Sequence, residues 1–423
     1  MAYLVVFYKI KKETVWVLID QVVKFATVSV CEAIMGKSDQ TIARKVRVGV
    51  LYGGRSSEHE VSLRSATNVI QNLDRSRFDI VPIGIDKQGA WFLGQDLAAL
   101  DQTAVLELEQ NAEKMLFTPD CIGKQPQLRH AHEMLSHLKN SERLFDVIFP
   151  VIHGPLCEDG TVQGLLELAD VPYVGCGVLA SSVGMDKDVS KRLVMQAGLD
   201  VPKYIVFKRG EWNKNPARIE AQVNAALTYP VFVKPSNTGS SVGVHKVKRA
   251  EDLAAAIKDA FQYDTKVLVE QGVDAMEVEV SVLESLDYGM DPIVSVAGEI
   301  RPQNGHEFYS YASKYLDDDG AAIIIPAEIP DEVQAALKVA AKQIFTALDC
   351  EGMARVDLFL ERGTQRIYFN EVNTIPGFTQ ISMYPKLMMA SGFTYTNLLT
   401  HLIELAIDRH TRKSELSREY VAE

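Results

Sequence analysis

Two carboxylates and a carboxamide stand at alternating positions in the stretch from residue 355 to residue 373, a spacing suited to chemistry on a charged ligand. Arg355, Asp357 and Phe359 would share one face of a strand, and Ile367, Phe369, Glu371 and Asn373 one face of a second. A turn near Gly363 would fold the two into a hairpin, with Asp357 in reach of Glu371 and Asn373 continuing the row. Carboxylates placed together repel and resist burial, so either a cation lies between them or Arg355 pairs one. Hard oxygen donors in this number suit Mg2+ completed by phosphate oxygens. The other reading is a solvated hairpin face held by a salt bridge. Lys234 to Gly243, rich in Ser and Gly after a lysine, could grip phosphate through backbone N–H groups, hydroxyls and one positive charge. It is not a Walker A loop, because the lysine comes first and a strand follows. The alternative is a plain Gly/Ser hairpin turn.

Other candidates are weaker when taken singly. Gly53-Gly54-Arg55-Ser56-Ser57-Glu58 follows a strand but lacks the G-x-G-x-x-G spacing of a dinucleotide site, which disfavours a dehydrogenase. Glu58 and Glu60 near a helix start could simply favour the helix dipole. His153, followed by Glu158-Asp159-Gly160, reads alone as a turn, and His130, His132 and His137 as surface residues.

The elements that must position these groups follow from periodicity. Val46 to Leu51 reads as a strand, and Ala66, Val69, Ile70 and Leu73 form a helical stripe after the Gly53 turn. Ile80 to Ile85 and Phe145 to Ile152 add strands, so the first third reads as an open α/β layer with a parallel sheet. A helix carries Val162, Leu165, Leu166 and Ala169 after Thr161, and another runs from about Asp186 to Ala197, stopping at Gly198. Strands at Val231–Lys234 and Val242–Val247 flank the serine loop and are most simply antiparallel. A helix with Leu253, Ala256, Ile257 and Ala260 leads to the strand Val267–Glu270, and Gly272 looks like a hinge. Met276 to Leu283 alternates strictly, with Glu277, Glu279 and Ser281 on one face. A helix spans Asp331 to Leu348, and the charged tail from about Asp408 is expected to fray.

Composition limits the classes. At 423 residues the chain should form about two to four domains. A net charge of -12 disfavours a nucleic-acid or membrane-surface role, though a local basic pocket can still hold phosphates. Cys31, Cys121, Cys157, Cys176 and Cys350 show no zinc-ligand spacing and fit reduced thiols in the cytosol. No run approaches the roughly 18 to 20 apolar residues of a membrane span, and residues 1–44, interrupted by Lys9, Lys11, Lys12 and Lys24, do not read as a signal peptide.

Taken in order, Gly53 to Ser62, His153 to Gly164, Met185 to Lys187, Val233 to Gly243, Tyr311 to Tyr315, Ala354 to Asp357 and Asn370 to Thr379 resemble the D-alanine:D-alanine ligase family of the ATP-grasp superfamily, from about Val46 to His410. The resemblance implies an α/β fold of three domains, with ATP held between the central and C-terminal ones. The divisions would be an unassigned extension at 1–44, a substrate-binding domain at 45–175, a central ATP-grasp part at 176–272, a catalytic part at 273–412 and a tail at 413–423. Residues 1–34 are then expected to be dispensable, with Met35 as an internal start.

The same resemblance implies ATP-dependent ligation of two D-alanine molecules through a D-alanyl phosphate, in the cytoplasm, for peptidoglycan precursor synthesis. Lys187, Lys234, Ser240, Ser241 and Lys314 would bind the phosphates of ATP, with Glu270 at the adenine and Glu277 near the ribose. Two Mg2+ or Mn2+ ions would be held by Asp357, Glu371 and Asn373. Arg355 and the Gly377 N–H would stabilise the oxyanion, and Glu58, with His153, would hold the first D-alanine. Lys314 and Ser382 would receive the second carboxylate, and Ser240 and Tyr315 would link to Glu58 and close the site. D-lactate-using relatives tend to carry histidine where Tyr315 stands, and the family usually has glycine where Cys157 stands. A D-alanine:D-lactate ligase or another carboxylate–amine ligase is the neighbouring reading, and a nucleotide sensor without turnover the more distant one. A homodimer is compatible with the resemblance.

Overall fold

The computed structural model describes residues 44–93, the two-residue strand 113–114, 144–303 and 320–420. The extension before residue 44, Cys121, the three histidines between 130 and 137, Lys314 and Tyr315 lie outside the described residues. Contacts divide the chain after Lys45, and the unit Val46–Glu423 carries three sheets.

The first sheet contains β1 (Val46–Gly53), β2 (Phe78–Ile85), β3 (Trp91–Leu93), β4 (Glu113–Lys114) and β5 (Val147–Pro150), in the order β4-β3-β2-β1-β5. β1 is parallel to β2 and to β5, but β3 and β4 add on antiparallel. The three strands read from the sequence are parallel as expected, and β3 and β4, which were not read there, add an antiparallel edge. The reason is local: β2 and β3 are separated only by the short turn at Asp86–Ala90, and so short a connection can only reverse the chain. Helix α1 (His59–Asn72) follows β1 and buries Ala66, Val69 and Ile70 against Val48, Val50 and Tyr52. The opposite face of β1, with Leu51, is covered by α2 (Thr161–Leu168) through Val162 and Leu166.

The central sheet has the order β6-β9-β7-β8, made of β6 (Tyr204–Lys208), β7 (Val231–Pro235), β8 (His245–Val247) and β9 (Lys266–Gln271). β7 and β8 are antiparallel as expected, but β8 begins at His245 because residues 239–244 are spent in successive turns. Helices α3 (Val178–Met185) and α4 (Lys187–Gln196) precede this sheet, α4 capped by Asp186 accepting from the N–H groups of Asp188 and Val189. Helices α5 (Arg209–Lys214), α6 (Pro216–Ala226) and α7 (Leu253–Ala260) close its core through Trp212, Ile219, Val223 and Ile257.

The third sheet runs β12-β11-β10-β13-β14, with β10 (Ala275–Leu283), β11 (Ile293–Pro302), β12 (Ala321–Ile324), β13 (Met353–Glu361) and β14 (Ile367–Asn373). Its alternating valines 278, 280 and 282 pack on α8 (Asp331–Ala347) through Leu337, Ala341 and Ile344. The remaining helices, α9 (Met383–Ala390) and α10 (Tyr395–Ser414), return to the first sheet, placing Tyr384, Met388, Leu398 and Leu402 in one core with Val48 and Phe149. The tail expected to fray at Asp408 is instead helical to Ser414. Its charges are used: Asp408 pairs with Arg412, His410 with Asp170, and Lys413 with Glu167 at 2.9 Å. Arg412 and Lys413 also sit in the last turn, where the helix dipole favours cations.

Candidate active site

The β13–β14 hairpin sets Asp357 opposite Glu371 and Arg355 opposite Asn373. The register then slips, so that Leu358 faces Phe369 and Asn370 is left as an extra residue in β14. Strict alternation had placed Phe369 beside Glu371. The bulge puts Phe369 into the core instead, 1% exposed, with Leu358 and Val356. Asn370, displaced by the bulge, accepts from the Lys234 ammonium at 3.3 Å through its Oδ1.

Of the two alternatives raised by the paired carboxylates, the pairing of one of them by Arg355 is present. Arg355 donates to both oxygens of Asp357 at 2.7 Å each, and Asn373 Nδ2 donates to Asp357 at 3.0 Å. Glu371 is paired with Lys187 at 3.0 Å. Among the described residues no group of three or more His, Cys, Asp or Glu side chains is arranged to hold a metal. The donor set still fits a hard divalent ion: two carboxylates and one amide oxygen lie on neighbouring strands, and Glu371 remains partly open.

Two lysines and Glu270 make a buried cluster behind this hairpin. Lys191 on α4 is completely buried and reaches Glu270 Oε2 at 2.7 Å and the Phe369 carbonyl at 3.2 Å. Lys234 on β7 reaches Glu270 Oε1 at 2.7 Å. Burial opposes ionisation of Glu270, yet the two ammonium groups outweigh it and hold the carboxyl below its ordinary range. Lys191 was not singled out in the sequence, since a lysine in a helix reads as a solvated residue. Its spacing four residues after Lys187 was the available signal, as it places both on one face. Glu277, half-buried near the start of β10, lies on the same side of that strand as Glu279.

The serine loop is tied to three elements. Lys187 Nζ donates to the Thr238 carbonyl at 2.7 Å while pairing with Glu371, which connects the loop to the carboxylate strand. Ser240 Oγ donates to Glu58 in a short bond. Ser240 and Ser241 both adopt left-handed backbone angles, φ 49° and 56°, which non-glycine residues rarely accept.

Glu58 stands at the start of α1 without capping it, so its 7% exposed carboxylate is directed to the loop rather than to its own helix. Gly154 passes close by. With φ 82° and a Cβ position only 2.8 Å from Glu58 Oε2, it admits no side chain. His153 is buried between Ser65, 3.4 Å from Nε2, and the Ile375 carbonyl, 3.2 Å from Nδ1. Burial pushes its imidazole down and favours the neutral form. Ser65 also accepts from the Phe378 N–H at 3.2 Å, which anchors the Gly377 loop to α1. Ser382 lies beside Gly377, its Oγ 2.7 Å from where a Cβ on Gly377 would stand, and accepts from the Thr379 N–H at 2.9 Å. Cys157 is buried against Gly54, and the strained angle in that loop falls on Leu156, φ 69°, rather than on Cys157 itself.

Glu158 is a further buried carboxylate that the sequence reading passed over as part of a turn. It accepts from the Gly154 N–H at 3.1 Å, and the Cβ position of Gly239 lies 3.6 Å from Glu158 Oε1 and 3.1 Å from Glu58 Oε2. Burial, then the charge of Glu58, pushes its carboxyl from 4.5 up to about 8. The folded protein thus keeps a proton that the unfolded chain releases. Stability linked to that proton is full below the unfolded value near 4.5 and is lost as pH rises toward 8. Glu158→Gln is neutral throughout, so its melting temperature relative to wild type should rise between pH 5 and pH 8.5. A difference that stays flat across that range would show that Glu158 is not held protonated.

The chain matches the family model for the D-ala D-ala ligase N-terminus over residues 47–176 and the model for the D-ala D-ala ligase C-terminus over residues 193–404. It is 51% identical over 383 residues to the D-alanine–D-alanine ligase A of Bradyrhizobium diazoefficiens, covering 90% of this chain and 100% of the relative. To the D-alanine–D-alanine ligase A of Escherichia coli K12 it is 46% identical over 378 residues, 88% of this chain and 98% of that one. Among solved structures it is similar to the VanG D-Ala:D-Ser ligase of Enterococcus faecalis, at TM-score 0.68 and 37% identity over 86% of this chain and 100% of that chain. The D-alanine-D-alanine ligase of Coxiella burnetii gives TM-score 0.69 and 31% identity over 88% of this chain and 97% of that chain. The likeness to these ligases bears out the α/β, ATP-grasp class expected from the sequence. With both family models matched in order and relatives covered almost end to end, the chain belongs to the D-alanine–D-alanine ligase family.

Proposed function

We propose that this protein joins two D-alanine molecules into D-alanyl-D-alanine at the expense of ATP, as a cytoplasmic step toward peptidoglycan precursor. The observation that carries the reading is the serine loop, linked at once to Glu58 through Ser240 and to the Lys187–Glu371 pair through Thr238. One segment thereby joins a site for an ammonium group to a site for phosphate charge. No helix among the described residues is long and apolar enough to cross a membrane.

In this reading the catalytic part spans 273–412, the central part 176–272 and the substrate domain 45–175, with 1–44 and 413–423 outside the chemistry. Lys187, Lys234, Ser240, Ser241 and Lys314 receive the phosphates of ATP. Glu277 meets the ribose, and Glu270, held in shape by Lys191 and Lys234, meets the adenine. Asp357, Glu371 and Asn373 would hold Mg2+ or Mn2+, which would supply charge neutralisation to the phosphates of ATP. Glu58 binds the ammonium of the first D-alanine beside neutral His153. The carboxylate of that molecule takes the γ-phosphoryl group and ADP leaves. The amine of the second D-alanine, its carboxylate on Lys314 and Ser382, then attacks the acyl carbon, losing a proton as phosphate is released. Arg355 and the Gly377 N–H stabilise the oxyanion, a contribution of about 3 to 4 kcal/mol per donor in other enzymes. A closed lid excludes the water that would hydrolyse the acyl phosphate.

The test is phosphate release and product mass with ATP, Mg2+ and D-alanine. Binding of ATP without phosphate release would favour a sensor and end the ligase reading. Offering D-alanine, D-serine and D-lactate together identifies the acceptor. Tyr315 is a neutral phenol, whereas a protonated histidine there would attract D-lactate, an anion, over a zwitterionic amino acid. The wild type should therefore make dipeptide at both pH 6 and pH 8, and Tyr315→His should gain depsipeptide at pH 6. A histidine variant with no such gain removes Tyr315 as the selectivity element.

A further inference from the structure

Three adjacent strands place a row of carboxylates across the third sheet. Glu279 on β10 pairs in register with Asp357 on β13, which pairs with Glu371 on β14. Glu279 and Asp357 are each 2% exposed. Two ionised carboxylates so placed repel strongly unless a cation lies on them. The cation is Arg355, whose guanidinium donates to both oxygens of Asp357 at 2.7 Å through Nε and Nη2, while Glu279 Oε2 lies 2.8 Å from the same Nε as an ion pair rather than a hydrogen bond.

This arrangement contains a conflict. A divalent ion on Asp357 and the guanidinium of Arg355 call on the same two oxygens. If Asp357 were the sole anchor of Arg355, turning the carboxylate toward an ion would release the guanidinium at the moment when the oxyanion needs it. Glu279 removes the conflict, because its charge lies against Arg355 from the neighbouring strand and stands on the far side of Asp357 from Glu371, away from the ion's open side. We propose that Glu279 is a positioning residue that holds Arg355 in place while Asp357 is given over to the metal. The inference rests on the ligase reading for the role of Arg355, but the contact itself does not.

The test uses the full chain with Glu279→Gln, Glu279→Asp and Arg355→Lys, alone and with Glu279→Gln and Arg355→Lys combined. Thermal denaturation of the ligand-free proteins should show coupling between positions 279 and 355, the double variant losing less than the two single losses added together. Calorimetric titration of Mn2+ in the presence of ADP should show binding weakened about 10- to 100-fold in Glu279→Gln, since Arg355 then falls wholly on Asp357. With D-alanine and ATP, kcat should fall by a similar factor with KM for ATP nearly unchanged, Glu279→Asp should recover part of it, and Glu279→Gln should have little further effect in the Arg355→Lys background. Wild-type Mn2+ affinity and kcat in Glu279→Gln would overturn the proposal. So would a lowered melting temperature with additive losses in both backgrounds, which would mark Glu279 as structural only. An inactive wild type that still shows the coupling and the Mn2+ effect would instead fault the ligase reading and leave the role of Glu279 toward Arg355 standing.

Discussion

Glu371→Gln should lower phosphate release by about 1,000-fold while leaving the protein folded. The size follows from what the carboxylate does: a ligand charge that helps a divalent ion neutralise the transferred phosphoryl group supplies several kcal/mol, and about 4 kcal/mol corresponds to three decades of rate. Stability should change little. The Glu371 side chain is 22% exposed and its partner Lys187 retains the Thr238 carbonyl at 2.7 Å, so the cation is not stranded. Glutamine keeps the shape and one oxygen, and the expected change in folding free energy is within about 1 kcal/mol. Phosphate release across a Mg2+ series, with a melting curve for each protein, checks both halves. Wild-type rates in the variant at limiting Mg2+ would remove Glu371 from the metal site.

Arg355→Ala should fail on both counts, in turnover and in stability. The side chain is the shared cation of Asp357 and Glu279, which are almost entirely buried, and removing it takes the guanidinium from two negative charges, Asp357 keeping the Asn373 amide donor. Breaking a buried pair in this way costs about 3 to 5 kcal/mol, most of it the penalty of the charge left behind. Loss of an oxyanion donor should separately reduce turnover about 100- to 1,000-fold. The two effects separate by experiment. A melting temperature lowered by several degrees in the absence of substrates reports the stranded carboxylates, and a kcat loss measured well below that temperature reports the chemistry. Arg355→Lys should recover much of the stability and little of the rate, since an ammonium supplies charge but not the planar fork. An alanine variant that melts with the wild type would show that Asp357 and Glu279 do not depend on Arg355.

The contrast between these two substitutions also marks what the sequence determined by itself. The elements at Val46, Asp331 and the 353–373 hairpin follow from local patterning, and the period of two with a turn near Gly363 brings Asp357 within reach of Glu371. The strict alternation of β10 likewise showed that Glu277, Glu279 and Ser281 share a face. Local pattern fails where one residue breaks it. The bulge at Asn370 reverses every side chain before it in β14, so Phe369 is in the core rather than on the carboxylate face. What remained was decided by tertiary structure, because it depends on chain segments far apart in sequence. Lys191 reads as a surface residue until Glu270 is brought to it. Local pattern reads Ser240 as a turn, and the link to Glu58 that the family resemblance implies is made only where the fold closes 182 positions of chain. Glu279 reads as the polar edge of a strand until β10 lies against β13 and its charge meets Arg355. Periodicity tells which way a side chain points, whereas the partner that makes a buried charge tolerable is supplied only by the strand or helix that packs beside it.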